Sequence, residues 1–299
     1  MKRLLSLVMF TILMCLSAFS QIISNDGTAQ RFALVKEQGH YYFDAELNGV
    51  PVRMMLESGV PSLMIGEKMY EENKSAFNLK TKPSKGNMRF LNGTYKIKYM
   101  ADGRLSLGKA CYDGPIFILE GFEDGYLPVQ YLKNGTDSSS IVMVDLQDKV
   151  LEVKDGSFMT KLGNDYQKLN ISLRESGNMP VVDSPLTIVS KGKSVTVGGH
   201  FIVDFGNGSL LFLMKQSVSA QKIISSGVVE LSEACNAQGK VVAEGMLAEK
   251  LSICDRTFDN VSVGVTDKMT TIEETGFLGL KYFTGPVIFD FTNKIMLVK

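Results

Sequence analysis

Histidine is nearly missing from this chain: His40 and His200 are the only two in 299 residues. That leaves little support for a Ser-His-Asp arrangement, and no G-x-S-x-G phrase occurs either. Cysteine is also scarce. Cys15 lies in the N-terminal apolar stretch, leaving Cys111, Cys235 and Cys254, which cannot all pair internally. Cys235 and Cys254 lie in the same half and are the candidates for a bridge in an oxidising compartment, with free buried thiols as the equal alternative. Neither residue type has metal-site spacing, so no metal and no cofactor are expected. Net charge is absent too, with 32 basic and 32 acidic residues. No basic patch or lysine-rich run stands out, so nucleic acid is not an expected partner.

Long apolar runs are confined to the start. Lys2-Arg3 precede an apolar stretch from Leu4 to Leu16, and Ser17-Ala18-Phe19-Ser20 offer small residues before Gln21. Residues 1–20 therefore read as a secretory signal peptide. A membrane anchor is the alternative, but the stretch is short for a span of about 20 residues. The expectation is export to a periplasm or the exterior, with no membrane contact after cleavage.

What the chain does have is one phrase written twice. Met54-Met55-Leu56-Glu57-Ser58-Gly59-Val60-Pro61-Ser62-Leu63-Met64-Ile65 is matched by Phe201-Ile202-Val203-Asp204-Phe205-Gly206-Asn207-Gly208-Ser209-Leu210-Leu211-Phe212. Both read apolar run, carboxylate, one residue, Gly, two residues, Ser, apolar run. An acid between apolar runs is costly to bury without a partner, so two such acids suggest one shared site on an internal pseudo-twofold axis. The repeat extends further, through Leu105-Ser106-Leu107 and Leu251-Ser252-Ile253, then Val142 to Lys154 and Val287 to Lys299. The offsets are 147, 146 and 145 residues, too long for a solenoid and suited to two duplicated lobes.

Each lobe reads as mostly β, with short mixed segments such as Tyr41 to Leu47, Tyr95 to Met100 and Ile116 to Leu119. Asn48-Gly49, Asn92-Gly93, Asp102-Gly103, Asn134-Gly135 and Gln238-Gly239 mark turns. Asp148-Lys149 and Asn293-Lys294 predict a hairpin closing each lobe. Helix is expected only over Glu67 to Ser75 and around Leu278 to Phe283. The predicted lobes are 28–155 and 165–299, joined near Asp155 to Asp165.

Taken together these marks resemble the aspartic peptidases of the pepsin and retropepsin type. The family enters its site through an apolar strand and Asp-Thr/Ser-Gly, and braces that loop with a later apolar-apolar-Gly element. Phe201 to Phe212 matches the first mark, and Phe277-Leu278-Gly279-Leu280 the second. The first half matches more loosely, through Glu57-Ser58-Gly59 and Tyr126-Leu127-Pro128-Val129. The resemblance covers roughly residues 30 to 299. It implies an all-β fold of two homologous β-barrel lobes with a cleft between them, and a peptide or protein as substrate or ligand. A monomer is expected, because one chain supplies both lobes.

The resemblance also assigns roles. Asp204 and Glu57 would be the catalytic pair, sharing one proton and activating water. Ser58, Gly59, Gly206 and Tyr95 would shape the substrate site, with the hairpin at Asn92-Gly93 as the substrate-covering flap. Tyr95 is also readable as an ordinary strand aromatic, and Glu57 as a surface acid at a strand end. Ser62 and Ser209 read as structural hydrogen-bonders, and His200 as a packed or surface residue. Three departures stand out: Glu57 for Asp, Phe205 for Thr/Ser, and Pro128 for Gly. The added methylene moves the Glu57 carboxyl by about 1.5 Å, where such sites tolerate about 0.5 Å, so a poorly aligned pair is expected. Two functions follow: an aspartic-type endopeptidase using Glu57 and Asp204, or an inactive relative that binds peptide or protein in the cleft.

Overall fold

The computed structural model describes residues 29–91, 93–135, 141–235, 241–269 and 273–299. The expected signal peptide and the Gln238-Gly239 turn lie outside these residues. The described chain is all-β, with two lobes: a ten-stranded sheet lies in the first, and a thirteen-stranded sheet joins the strands of the second to three from the first half, Ala29–Ala33, Ile141–Asp145 and Val150–Lys154. Strand formation follows from alternation: along His40–Leu47 every second side chain is buried, the period-2 pattern that places one face of a strand on the core.

The two expected closing hairpins are present, as Ile141–Asp145 with Val150–Lys154, and Val287–Asp290 with Ile295–Val298. They meet through an antiparallel pairing of Val142 with Phe289 and Val144 with Val287. Under the repeat offset these two pairs are images of each other, and Met143 opposite Ile288 sits on the axis. This is the self-complementary geometry of a twofold interface, realised within one chain. A two-turn 3-10 helix, Gly156–Lys161, carries the chain from one closing hairpin towards the second lobe.

Several local expectations change. Asp102-Gly103 is no turn; both residues lie inside the strand Gly93–Leu107. A side chain at Gly103 would meet the movable tips of Ile116 and Leu79, so the glycine sits in close strand packing and not in a chain reversal. Leu278 to Phe283 is not an α-helix. It is the end of a strand, Gly276–Leu278, followed by a 3-10 turn over Leu280–Tyr282. The other expected helix runs two residues further than read, Glu67–Phe77, and ends on Asn78 in the left-handed region. A second helix, Val218–Ser225, went unread although Ser217 caps it by accepting from the Ala220 N–H.

Cys111 and Cys254 are free, buried thiols. Cys235 and Cys254 flank opposite ends of the strand Val241–Ile253. At about 3.3 Å per residue that is on the order of 40 Å, far beyond disulfide reach.

Phe289 is fully buried at the junction of the lobes and packs on both Phe205 and Phe291. Phe289→Ala should cost about 3–5 kcal/mol through lost burial and the cavity left behind. Guanidinium unfolding read by tyrosine fluorescence checks this, and a loss below about 1 kcal/mol would contradict the packing described.

Candidate functional site

Glu57 is the last residue of the strand Val50–Glu57, whose final residues Met55, Leu56 and Glu57 pair in parallel with Tyr126–Pro128. Asp204 follows directly on the strand Lys193–Val203, which pairs in parallel with Gly276–Leu278. Its N–H donates to the Leu278 carbonyl at 2.9 Å. The two loops are thus built alike, each on a strand end held by a later strand of its own lobe.

The loops face each other, and their carboxyl groups meet. Glu57 and Asp204 are both buried, at 4% and 8% exposure, and hydrogen-bond to one another. Each carboxyl lies over the other lobe's glycine. A side chain at Gly59 would collide with the Asp204 carboxyl, and one at Gly206 with that of Glu57. The extra methylene of Glu57 therefore does not part the pair.

One cross-lobe brace holds this arrangement. The Ser58 hydroxyl donates to the Val203 carbonyl at 2.8 Å and accepts from the Phe205 N–H at 3.1 Å. The mirror-image brace is missing because Phe205 has no hydroxyl. Its ring turns away into the core, 5.3 Å from Phe283 and 5.8 Å from Phe289, and does not come between the carboxyls. The Ser58 N–H instead donates to the Glu57 carboxyl at 3.3 Å.

Further support comes from residues the sequence reading passed over. The Gln130 amide donates to the Val60 carbonyl at 2.8 Å, bracing the first loop. Asn207 accepts from the Ser209 N–H and hydroxyl at 3.0 and 2.7 Å, and its backbone carbonyl accepts from the Leu280 N–H. Gly279 allows that approach, since a side chain there would strike the Asn207 and Ser209 carbonyls. Pro128 holds the corresponding place in the first lobe. Its φ of −74° suits proline, and it starts the 3-10 turn Val129–Tyr131. The Ser62 hydroxyl donates to the Pro115 carbonyl on a separate strand, and that of Ser209 donates to nearby Asn207. His200 pairs with Asp183 on the surface.

Burial, the Asp204 charge and the hydrogen bond from its own carboxyl push the Glu57 pKa well above 4.5. Burial raises Asp204 as well, but the bond donated by Glu57, the Gly206 N–H at 2.9 Å and nearby His40 all favour its charged form. Glu57 is pushed up the further of the two, so the pair titrates as a unit in which the shared proton is weighted towards Glu57. Such a pair has an acid and a base on adjacent groups, the requirement for proton transfer to and from one reacting centre. Among the described residues no cluster of His, Cys, Asp or Glu could hold a metal.

Above the pair lies a cleft of about 830 Å³, lined by Glu57, Asp204, Gly59, Gly206 and the flap. The flap is the hairpin of Asn87–Phe90 with the start of Gly93–Leu107; Asn92 lies outside the described residues. Phe90 packs on Tyr95, Phe122 and Tyr126 of the first lobe. Leu91, at the tip, packs on the apolar cluster of the second lobe that includes Met269 and Phe277. Tyr95 does not line the cleft; it packs edge-on against Phe90 and Phe122. Ser58 does not line it either and acts from beneath.

No family model and no curated protein matches the sequence. Among solved structures the fold is similar to the aspartic proteinase from Irpex lacteus, with a TM-score of 0.55 and 12% identity. The alignment covers 91% of this chain and 97% of that one. At this identity the likeness shows the fold: two β lobes of the pepsin-like aspartic proteinase kind.

Two measurements follow. Ser58→Ala removes the brace and leaves a buried Phe205 N–H without its acceptor, which should cost about 1–3 kcal/mol in denaturant unfolding. For Glu57, a folded pKa raised above the unfolded value means stability that is present below about pH 4.5 and is lost as pH rises through the folded pKa. Relative to Glu57→Gln, the wild-type chain should therefore lose stability with rising pH. A difference that is flat or opposite in sign across that window would exclude the shared proton.

Proposed function

We propose that this chain is an exported, monomeric, acid-active peptide hydrolase of the aspartic type. The observation that carries the reading is the pair of buried, mutually hydrogen-bonded carboxyls at the floor of a peptide-sized cleft. In this reading Asp204 takes the proton of an attacking water, and Glu57 gives its proton to the scissile carbonyl oxygen. Gly59 and Gly206 keep the backbone out of the way, and Ser58 holds the two loops in register. The flap excludes water from the bound segment, which strengthens the electrostatics of the pair.

A second reading rests on Phe205. With half of the cross-lobe brace gone, the same cleft would bind a peptide or protein without cutting it.

The test is hydrolysis of an internally quenched peptide library by the purified chain between about pH 3 and 7. Cleavage should peak on the acid side, fall as the pair loses its shared proton, and drop by about 10²-fold or more in Asp204→Asn. Cleavage that survives Asp204→Asn would overturn the catalytic assignment. Binding without cleavage at any pH, retained in Asp204→Asn, would establish the second reading instead.

A further inference from the structure

The whole-chain charge balance hides a local imbalance. Between residues 73 and 101 there are seven basic residues and no acid, a run that the sequence reading overlooked. This segment includes the flap. Lys74, Lys96 and Lys98 are paired with Glu71, Glu120 and Glu67. Lys85 and Arg89 are exposed and line the cleft; Lys85 has no ion-pair partner among the described residues.

The opposite walls add to this. Lys268 of the second lobe reaches the flap tip, donating to the Leu91 carbonyl at 3.4 Å. His40 lines the cleft close enough to favour the charged form of Asp204, and its buried Nδ1 has no hydrogen-bond partner among the described residues. Arg174 lines the cleft as well but is neutralised by Glu274 at 2.8 Å. The acids that line the cleft are Glu57 and Asp204 themselves, and together they carry a single charge.

We propose that the cleft selects peptides bearing an acidic side chain beside the bond held over the carboxyl pair, with Lys85 and Arg89 of the flap as the specificity-determining cations. The inference rests on reading the cleft as a peptide site, and deepens it by naming the substrate class. The flap geometry supports this. Arg89 stands opposite Thr94 on the hairpin, while Met88 and Tyr95 form the neighbouring pair. Met88, Phe90 and Tyr95 pack on the first lobe's apolar cluster, so alternation leaves Arg89 on the other face of the hairpin. An acidic side chain there would meet exposed cations at the cleft wall, an attraction that salt screens.

The experiment has a binding arm and a hydrolysis arm. Binding is read by fluorescence anisotropy at about pH 6, where peptide carboxylates are ionised. The probes are three peptides with a reduced, uncleavable central bond, carrying Asp, Asn or Lys on either side of it. The Asp peptide should bind about tenfold more tightly than the Asn peptide, roughly 1.4 kcal/mol, and high salt should erase the difference. The double variant Lys85→Glu/Arg89→Glu should reverse the preference towards the Lys peptide, a gain that an unfolded variant could not show. Equal affinity for Asp and Asn peptides, or an Asp preference that survives the reversal, overturns the proposal. In the hydrolysis arm the same sequences carry an ordinary bond. Cleavage without acidic preference sinks the specificity and leaves catalysis standing; acidic binding without cleavage does the reverse. No binding to any of the three overturns both.

Discussion

Everything in this molecule is arranged around one hydrogen bond, that between the Glu57 and Asp204 carboxyls. Two buried carboxylates in contact could not both be ionised, because desolvation and mutual repulsion add. Sharing a proton removes the repulsion and leaves one charge to be solvated by backbone N–H groups such as that of Gly206. The bond closes only if two loops from different lobes are held in register. The interlobe pairing of Val142 with Phe289 and Val144 with Val287 sets the lobes about a pseudo-twofold axis. The Ser58 hydroxyl then ties the two loops directly.

The departures from symmetry are coupled rather than scattered. With phenylalanine at 205, the first lobe's Ser58 N–H has no hydroxyl to receive it and turns to the longer Glu57 side chain. In energy terms the exchange is mild. A hydrogen bond contributes about 0.5–1.5 kcal/mol net, whereas burying a phenylalanine ring contributes about 1.5–3 kcal/mol, and Phe205 is 1% exposed among Phe283 and Phe289. Stability therefore does not oppose the change. Its cost falls on the precision with which the carboxyls are held, since one brace now does the work of two.

Much of this was legible in the sequence because the informative patterns are short. A carboxylate between apolar runs, a glycine two residues on and a two-residue turn between apolar stretches are all local, and their repetition at a near-constant offset gave the two lobes, Asp204, Glu57 and both closing hairpins. What was not legible depends on contacts far apart in sequence. Gln130 reaches a carbonyl 70 residues away, and nothing around it distinguishes it from a surface glutamine. Gly103 looked like a turn because Asp-Gly is a local signal, whereas the strand pairing that places it, opposite Gly114, is not adjacent in sequence. Tyr95 stood at the right place for a cleft residue, but pairing opposite Met88 put its ring on the packed face of the hairpin. The basic flap was masked by the whole-chain balance of charge.

The flap links cover, charge and proton in one element. Its apolar face rests on Phe122 and Tyr126 of the first lobe, and its tip on the apolar cluster of the second. The hairpin thus covers the cleft that the carboxyl pair lines, and desolvation by burial is the first cause of the raised pKa of both acids. Lifting the flap would rehydrate the pair, lower the cost of its second charge and release the proton. Closing it would favour the one-proton state again, because each conformation is stabilised by the protonation state it solvates best. To the extent that the flap desolvates the pair, its position over the cleft and the proton on the pair would be thermodynamically linked. A peptide that holds the flap down through Lys85 and Arg89 would hold the proton in place as well.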